Sequence, residues 1–396
     1  MKRIELLLPA GNLEKLKMAL TYGADACYIG AKEYSLRAQA SNFTLNDIKE
    51  AVEFAHNLNK KVYITVNVIP REKEIMGILP YLKKLESINI DGIIVSSPVI
   101  LYIAKRYTNL HISISTQMSV TNTRSVNFFN KMGAKRVVLA RELSIDEIRE
   151  IRKNTECELE VFIHGGMCSG YSGRCTLSNY MSSRDANRGG CAHSCRWNYD
   201  LYMDQEKINK DYPFQIASKD LEALDYIKDL CLMGIDSLKI EGRMKSLHYV
   251  ATLSYTYRKL IDDISSNTLK DMSYYKNLLK SSENRMNSSG FFSGKYDYSM
   301  NLYSKMGLEA NQSFLGIVLD YDNIKKEALI EVRNHFKTGE VIEVMSPNKD
   351  LYNIKIENIY KDGILVDSAR HALEKLVIKV DKDLLVNDIL RRVQDE

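Results

Sequence analysis

Short apolar runs alternate with helical segments along the first 240 residues, and this alternation most constrains the fold. Such a pattern is typical of βαβ units and predicts a parallel sheet. With eight runs, we expect a (β/α)8 TIM-like barrel whose active site lies at the C-terminal ends of the strands. An open doubly wound sheet is the alternative, but no GxGxxG follows the first run. The eight runs are Ile4–Leu8, Ala26–Ile29, Val62–Val66, Gly92–Val95, His111–Ser115, Arg136–Leu139, Leu159–Ile163 and Ser237–Ile240.

The chain has 396 residues, more than one hydrophobic core usually serves, so we expect two domains. Residues 1–261 are predicted to form the barrel, with a Cys-rich insertion at 165–235 after the seventh strand. Residues 262–312 are polar and predicted to be a mobile connector. From 313 to 396 short alternating strands predict a small antiparallel β-barrel or sandwich. These strands are Phe314–Asp320, Glu327–Arg333, Val341–Met345, Tyr352–Ile359, Gly363–Val366 and Leu376–Val380.

Composition and charge limit the location and the partners that we expect for this protein. No apolar run approaches the roughly 18 residues that span a bilayer, and the N-terminus lacks the features of a secretory signal. We therefore expect a cytoplasmic protein without a membrane segment. The net charge is +4, which permits an anionic partner such as RNA without requiring one.

Five of the seven cysteines fall between residues 168 and 231: Cys168, Cys175, Cys191, Cys195 and Cys231. In an intracellular chain, clustered cysteines hold metal more often than disulfides, and four thiolates complete either a zinc site or an iron–sulfur cluster. The wide spacing, without CxxC pairs, favours a cluster over zinc. A set of buried structural thiols is the remaining alternative.

The sequence around the first two cysteines resembles the signature of the peptidase U32 family. Gly166 stands where the family has Ser or Ala, which should make the loop more flexible without removing a ligand. The matching residues are Glu160, Phe162, Gly165, Met167, Cys168, Gly173, Cys175, Leu177 and Ser178, and the flanking segments Leu7–Gly11, Ser115–Met118, Arg141–Ser144 and Lys239–Ser246 also match.

The resemblance implies a [4Fe–4S] cluster held by Cys168, Cys175, Cys191 and Cys231, with Cys195 as a substitute. The C-terminal segment is similar to that of the tRNA-hydroxylating branch of the family. That branch implies prephenate-dependent conversion of the wobble uridine of tRNA (U34) to 5-hydroxyuridine, with prephenate as co-substrate and the anticodon loop as partner. Other branches imply hydroxylation of a 23S rRNA cytidine or of a ubiquinone precursor. Heterodimers in the ubiquinone branch make a homo- or hetero-oligomer with a paralogue an open alternative.

Several polar residues are candidates for the reaction and for substrate binding. Arginine forks suit the two carboxylates of prephenate, and polar side chains at strand ends can contact a substrate. The predicted catalytic residues are His164, Arg141, Glu241 and Arg243. The predicted substrate-binding residues are Asn67, Gln117, Arg174, Arg184, Asn187, Arg188, Arg196 and Lys239, and Lys239 alternatively pairs with Glu241 inside the barrel. Tyr171, Tyr180 and Trp197 are candidates for stacking on a base or for packing within the insertion.

Two other classes of function stay open. A U32-type peptidase, such as a collagenase-like protease, would need an activated nucleophile or a metal with an open position. The sequence has neither HExxH nor GxSxG, and a Cys168–His164 pair would place a nucleophile among thiols that form disulfides. The second alternative is a non-catalytic iron–sulfur scaffold that binds RNA.

Overall fold

A computed structural model describes residues 3–36, 42–209, 213–282, 285–302, 313–347 and 349–393. Eight parallel strands form the first domain, and strand β8 pairs with both β7 and β1, so the sheet closes into a barrel. This confirms the predicted TIM-like fold over the open sheet. The strands are β1 (Glu5–Pro9), β2 (Ala26–Gly30), β3 (Lys61–Val66), β4 (Gly92–Val95), β5 (Ile112–Ile114), β6 (Arg136–Val138), β7 (Glu158–Gly165) and β8 (Ser237–Ile240).

Helices connect successive strands and cover the outside of the barrel. Polar caps fix where they begin: Thr44 and Asp47 form a reciprocal capping box at α2, and Ser144 with Glu147 does the same at α6. The connecting helices are α1 (Leu13–Thr21), α2 (Leu45–Asn57), α3 (Glu72–Ser87), α4 (Pro98–Tyr107), α5 (Thr123–Lys131) and α6 (Ile145–Lys153). Within the described ranges, no helix is long and apolar enough to cross a membrane.

The barrel interior contains a buried charged network as well as apolar side chains. Lys239 Nζ lies 2.6 Å from Glu160 Oε1, and Arg136 Nη1 lies 3.1 Å from Glu160 Oε2. Arg136 also donates to Glu5 at 2.5 Å. Burial raises the pKa of Glu160, but Lys239 and Arg136 outweigh this effect and hold the pKa below its usual range. Glu160 is therefore ionised and paired inside the barrel.

The connection between β7 and β8 carries the insertion, with helices α7 (Leu177–Ser182) and α8 (Ile227–Leu232). A two-stranded hairpin joins Tyr202–Met203 to Glu206–Lys207. The short strand Asp220–Glu222 extends antiparallel to the end of β7, with Leu221 opposite Gly165. The insertion is thereby attached to the C-terminal end of the barrel.

Helix α9 (Leu247–Ser266) follows β8 and is longer than the sequence pattern indicated. In the segment expected to be a connector, helix α10 (Met272–Lys280) packs on α9, and Tyr275 and Phe292 belong to the barrel's hydrophobic core. Much of this segment is thus part of the first domain's packing.

The C-terminal domain is a closed antiparallel barrel of six strands, with a seventh strand added beside it. Its strands are β9 (Phe314–Asp322), β10 (Glu327–Val332), β11 (Val341–Met345), β12 (Tyr352–Lys361), β13 (Ile364–Val366), β14 (Lys375–Val380) and β15 (Ile389–Arg392). The ring order is β11-β15-β9-β10-β14-β12, closed by β12 on β11, with β13 added to β12. Strand β15, which the sequence pattern did not reveal, completes the ring.

The two domains share a buried apolar contact. Tyr22 donates to the carbonyls of Met345 and Asn387 at 2.7 and 2.9 Å. The His248 ring stacks on Phe314 with centroids 4.9 Å apart, and burial lowers the pKa of His248 to about 3. The neutral ring can therefore pack as an aromatic side chain at neutral pH.

Lys239→Met should destabilise the protein by about 3 kcal/mol, because it removes one partner of a buried ion pair. The matched control is Lys17→Met, which breaks an exposed pair with Glu50 and should cost less than about 1 kcal/mol. Urea denaturation measures both. Equal losses of unfolding free energy in the two variants would show that the buried pair stabilises the fold no more than the exposed pair does.

Candidate functional site

Arg141 connects the loop after β6 to the first cysteine. Its Nη1 donates to the carbonyl oxygen of Gly166 at 2.6 Å, and its Nη2 lies 3.4 Å from Cys168 Sγ. Burial lowers the pKa of the Arg141 guanidinium, but the interaction with Cys168 more than compensates and the net shift is upward. The guanidinium therefore stays charged beside the exposed thiol of Cys168.

The loop from Cys168 to Cys175 lies against the ends of β5 and β6. Ser172 donates from its backbone nitrogen to Glu142 at 2.8 Å, and Ser119 donates to the Ser172 carbonyl at 2.5 Å. Gly173 has a φ of +73°, and a Cβ there would lie 2.1 Å from the Gln117 carbonyl oxygen. A glycine is required at this close approach.

Cys191 and Cys195 reach the same region through a second loop. Asn187 donates to the carbonyl of Cys175 at 3.5 Å, and Ala192 donates to Ser178 Oγ at 2.9 Å, which joins the two cysteine loops. Burial raises the pKa of Cys195, and the neighbouring thiols of Cys168 and Cys191 raise it further. Cys168 and Cys191 thus lie near enough to Cys195 to act on its charge.

Cys175 lies close to the loop segment that follows Cys168. A Cβ placed on Gly170, two residues after Cys168, would lie 3.3 Å from Cys175 Sγ. Cys168, Cys175, Cys191 and Cys195 thus occupy one region of the barrel rim, which we call the thiol group. Among the described residues, no three His, Cys, Asp or Glu side chains are arranged to hold a single metal ion.

Cys231 lies apart from the thiol group, and its role as a cluster ligand stays a prediction. It lies on α8, 4% exposed, among the apolar residues of the barrel core. Burial raises its pKa to about 11, and the charge that opposes this shift is Arg258, which pairs with Asp25 in the turn after α1. That turn precedes β2, at the end of the barrel opposite the insertion.

A charged group lies beside the thiols, around Gly166. A Cβ at Gly166 would be 3.3 Å from Arg196 Nη2 and 3.4 Å from Glu241 Oε2, so these two predicted residues converge there. The carboxylate of Asp220 also reaches this point, and it pairs with Lys245 at 3.3 Å. Arg285 from the former connector lies 3.5 Å from Asp220. Arg141, Arg196, Lys245 and Arg285 carry four positive charges against two negative charges on Asp220 and Glu241.

Three other predicted residues have different surroundings. His164 is 4% exposed, and its Nδ1 lies 3.0 Å from Tyr257 Oη on α9, so it faces the helical layer. Burial lowers its pKa to about 3, and its catalytic role stays a prediction. Lys239 is buried in its pair with Glu160, and its contact with substrate likewise stays a prediction. Arg243 is 5% exposed and donates to Ser35 and Asn42, so it braces the loop after β2.

Asn67 and Gln117 close the ends of two strands and contact each other. Asn67 Nδ2 donates to Gln117 Oε1 at 2.7 Å, and Gln117 Oε1 also accepts from Ser115 at 3.0 Å. Arg174 is exposed and donates to Ser119 at 3.2 Å. These contacts hold the rim loops together and leave the Arg174 guanidinium at the surface.

Arg188 is committed to an ion pair within the chain. Its two terminal nitrogens lie 2.8 and 3.0 Å from the two carboxylate oxygens of Glu74 at the start of α3, and it also contacts the Ile69 carbonyl. Hydrogen bonds from Arg188 lower the pKa of Glu74 to about 2. This fork attaches the insertion to the barrel, and the substrate role of Arg188 stays a prediction. Arg184 is half-buried nearby in the same loop.

Sequence reasoning missed several residues around the thiol group. Glu142 and Lys245 stand inside the matched segments Arg141–Ser144 and Lys239–Ser246, so that signal was available. Asp220 and Arg285 carry no local signal, because their partners are 25 and 65 residues away along the chain.

Comparison with known proteins identifies the family. The sequence profile of Peptidase family U32 matches residues 11–301, and that of the Peptidase family U32 C-terminal domain matches residues 310–391. The chain belongs to this family. Two similar relatives are the tRNA hydroxylation protein P1 of Bacillus subtilis, 43% identical over 99% of this chain and 95% of that protein, and the tRNA hydroxylation protein P of Haemophilus influenzae, 33% identical over 97% and 94%.

A relative with a different name is the collagenase of Porphyromonas gingivalis, which is 26% identical over 98% of this chain and 97% of that protein. The family therefore includes proteins named for RNA hydroxylation and for proteolysis along nearly the same length of chain.

Arg188→Ala should speed amide hydrogen exchange in residues 183–192 by about fivefold. Loss of the exposed pair with Glu74 should lower the free energy of opening the second cysteine loop by about 1 kcal/mol. Exchange in the barrel strands should not change. Arg149→Ala, which removes a guanidinium paired with Asp146 on α6, is the matched control. Unchanged exchange in residues 183–192 would show that the pair does not hold the loop.

Proposed function

We propose that this protein is an RNA-modifying hydroxylase that acts on tRNA. The observation that carries this proposal is the thiol group at the C-terminal end of the barrel, in a chain similar along its length to two tRNA hydroxylation proteins. In TIM barrels, chemistry occurs at this end, because several loops converge there. The specific reaction we propose is conversion of the wobble uridine, U34, to 5-hydroxyuridine.

The thiol group fits an iron–sulfur cluster. Four thiolates are required, and Cys168, Cys175, Cys191 and Cys195 share one region of the rim. A cluster bound to four thiolates is anionic, and the adjacent charged group supplies two more positive than negative charges. These four cysteines would hold the cluster, which would supply electron transfer next to the substrate.

The protein's own residues would bind and orient substrates around the cluster. Replacement of a C5–H bond by C5–OH is a two-electron oxidation that needs an oxygen donor, and we propose prephenate as that co-substrate. Arg196 and Lys245 would attract its carboxylates, because guanidinium and ammonium groups bind carboxylates strongly in a partly dry site. Arg174, exposed at the same rim, would contact the RNA backbone.

Deletion of the gene should abolish 5-hydroxyuridine at the wobble position of tRNA, and a plasmid copy should restore it when the cell makes prephenate. Arg141→Lys keeps the positive charge but loses the paired contact with Gly166 and Cys168. A plasmid copy with this substitution should therefore give at least about tenfold less modified tRNA than the wild-type copy. Arg149→Ala is the control. Nucleoside mass spectrometry of purified tRNA measures the product.

The alternatives give different results in the same experiment. Two results with intact tRNA modification would move the proposal to another substrate. One is loss of 5-hydroxycytidine from 23S rRNA, and the other is loss of hydroxylation of a ubiquinone precursor. Cleavage of gelatin by the purified protein, with tRNA modification unaffected by the deletion, would replace hydroxylation by proteolysis. A protein that binds iron and RNA but forms no modified product would be a non-catalytic iron–sulfur scaffold.

A further inference from the structure

A cavity of about 190 Å³ opens beside Cys168, and the function described above does not use it. One wall is the first cysteine loop, including Met167 and Tyr171. The opposite wall comes from the former connector, including Phe291, Tyr296 and Met300. The cavity therefore lies between the thiol group and a segment distant in sequence.

The connector wall is fixed by strand pairing. Asn287–Ser288 pairs with Asp220–Leu221, and Asn301–Leu302 pairs with Ala217–Ser218. Phe292 is buried and stacks on Tyr226 with centroids 5.2 Å apart. Both ends of the segment are thus attached to the insertion, and its middle is anchored in the core.

Gly290 allows this wall to pack closely on Leu221. Its φ is +55°, and an added Cβ would lie 3.0 Å from Leu221 Cδ1 and at ordinary contact distance, 3.7 Å, from Met167 Cε. A larger residue would be strained and would press on Leu221.

The lining suits a flat, uncharged ring. Phe291 and Tyr296 stack on each other at 4.8 Å with their planes 17° apart, and Tyr296 is 51% exposed. Aromatic platforms and methionine side chains bind nucleobases through their faces. Among the described lining residues, Lys219 is the one Lys or Arg and Glu142 the one Asp or Glu, so these side chains give no net positive charge to bind a dianion such as prephenate.

Glu142 adds a polar contact to the lining. Its Oε1 accepts two hydrogen bonds from Ser172, at 2.8 and 3.1 Å, while its buried Oε2 has no hydrogen-bond partner among the described residues. A buried acceptor without a donor is costly, and a ligand N–H would satisfy it. Both pyrimidines carry such a donor, uracil at N3–H and cytosine at its N4 amino group.

We propose that this cavity binds the target base of the RNA, with Phe291 and Tyr296 as its stacking platform and Glu142 as the acceptor for an N–H of the base. This inference rests on the proposed RNA hydroxylation and names the residues that hold the base. The base would then lie next to Cys168 and the Arg141 guanidinium.

The first test is photo-crosslinking of the cluster-loaded protein to a tRNA anticodon stem–loop that carries 4-thiouridine at the wobble position. The crosslinked peptide should fall within residues 285–302 or 167–171. A crosslink confined to the hairpin at 199–209, or to the C-terminal domain, would overturn the inference.

The second test compares two tyrosines of the same segment. Tyr296→Leu should weaken binding of the stem–loop by about tenfold and raise KM for tRNA, since stacking on one base contributes about 1–3 kcal/mol. Tyr298→Leu is the control, because Tyr298 is 79% exposed and lies outside the lining. Iron content should match the wild type in both variants. Equal effects of the two substitutions, or none, would overturn the inference.

The third test concerns Glu142. Glu142→Gln should weaken binding of the stem–loop, because the amide leaves one oxygen to accept from both Ser172 and the base, and an unchanged affinity would remove Glu142 from the proposal. Normal hydroxylation by Tyr296→Leu would contradict the cavity assignment alone. Failure of the wild type to hydroxylate tRNA would contradict the proposed function itself.

Discussion

The arrangement of the site depends on the Arg141 guanidinium, which binds both the end of β7 and the first cysteine of the insertion. Helices in the long β7–β8 connection are short, so its position depends on contacts with the barrel. Glu142 holds the Ser172 backbone, and Arg188 holds the Glu74 carboxylate on α3. Each contact joins the insertion to a rim loop or to the start of a helix, and together they place the thiol group at the C-terminal end of the barrel.

The barrel can serve as this platform because its interior is filled and its closure is complete. Glu160 is 1% exposed and is neutralised by Lys239 and Arg136, so a charged layer closes the interior below the rim. The former connector adds a second wall at the rim, and Phe292 fixes it in the core. The apolar contact that includes Tyr22 and His248 then joins the small β-barrel to the side of the first domain.

The sequence predicts the barrel well, because strand and helix periodicities are local properties and Thr44 and Ser144 mark helix starts directly. It also places most of the cysteines in one insertion. It does not show which thiols meet, since Cys195 and Cys231 differ in burial, and burial depends on tertiary packing. His164 ends a strand as expected, but its side chain faces α9, and one residue of register decides such a direction. Strand β15 was missed because Ile389–Arg392 is short and lacks alternation.

The most direct test of this account is iron and sulfide analysis of protein purified without oxygen, with each of the five clustered cysteines replaced in turn by alanine. The proposed cluster in the thiol group predicts about four irons per chain in the wild type and in Cys231→Ala. It predicts loss of the cluster in Cys168→Ala, Cys175→Ala, Cys191→Ala and Cys195→Ala. Iron retained by Cys195→Ala and lost from Cys231→Ala would contradict the thiol group, and with it the assignment of the catalytic rim.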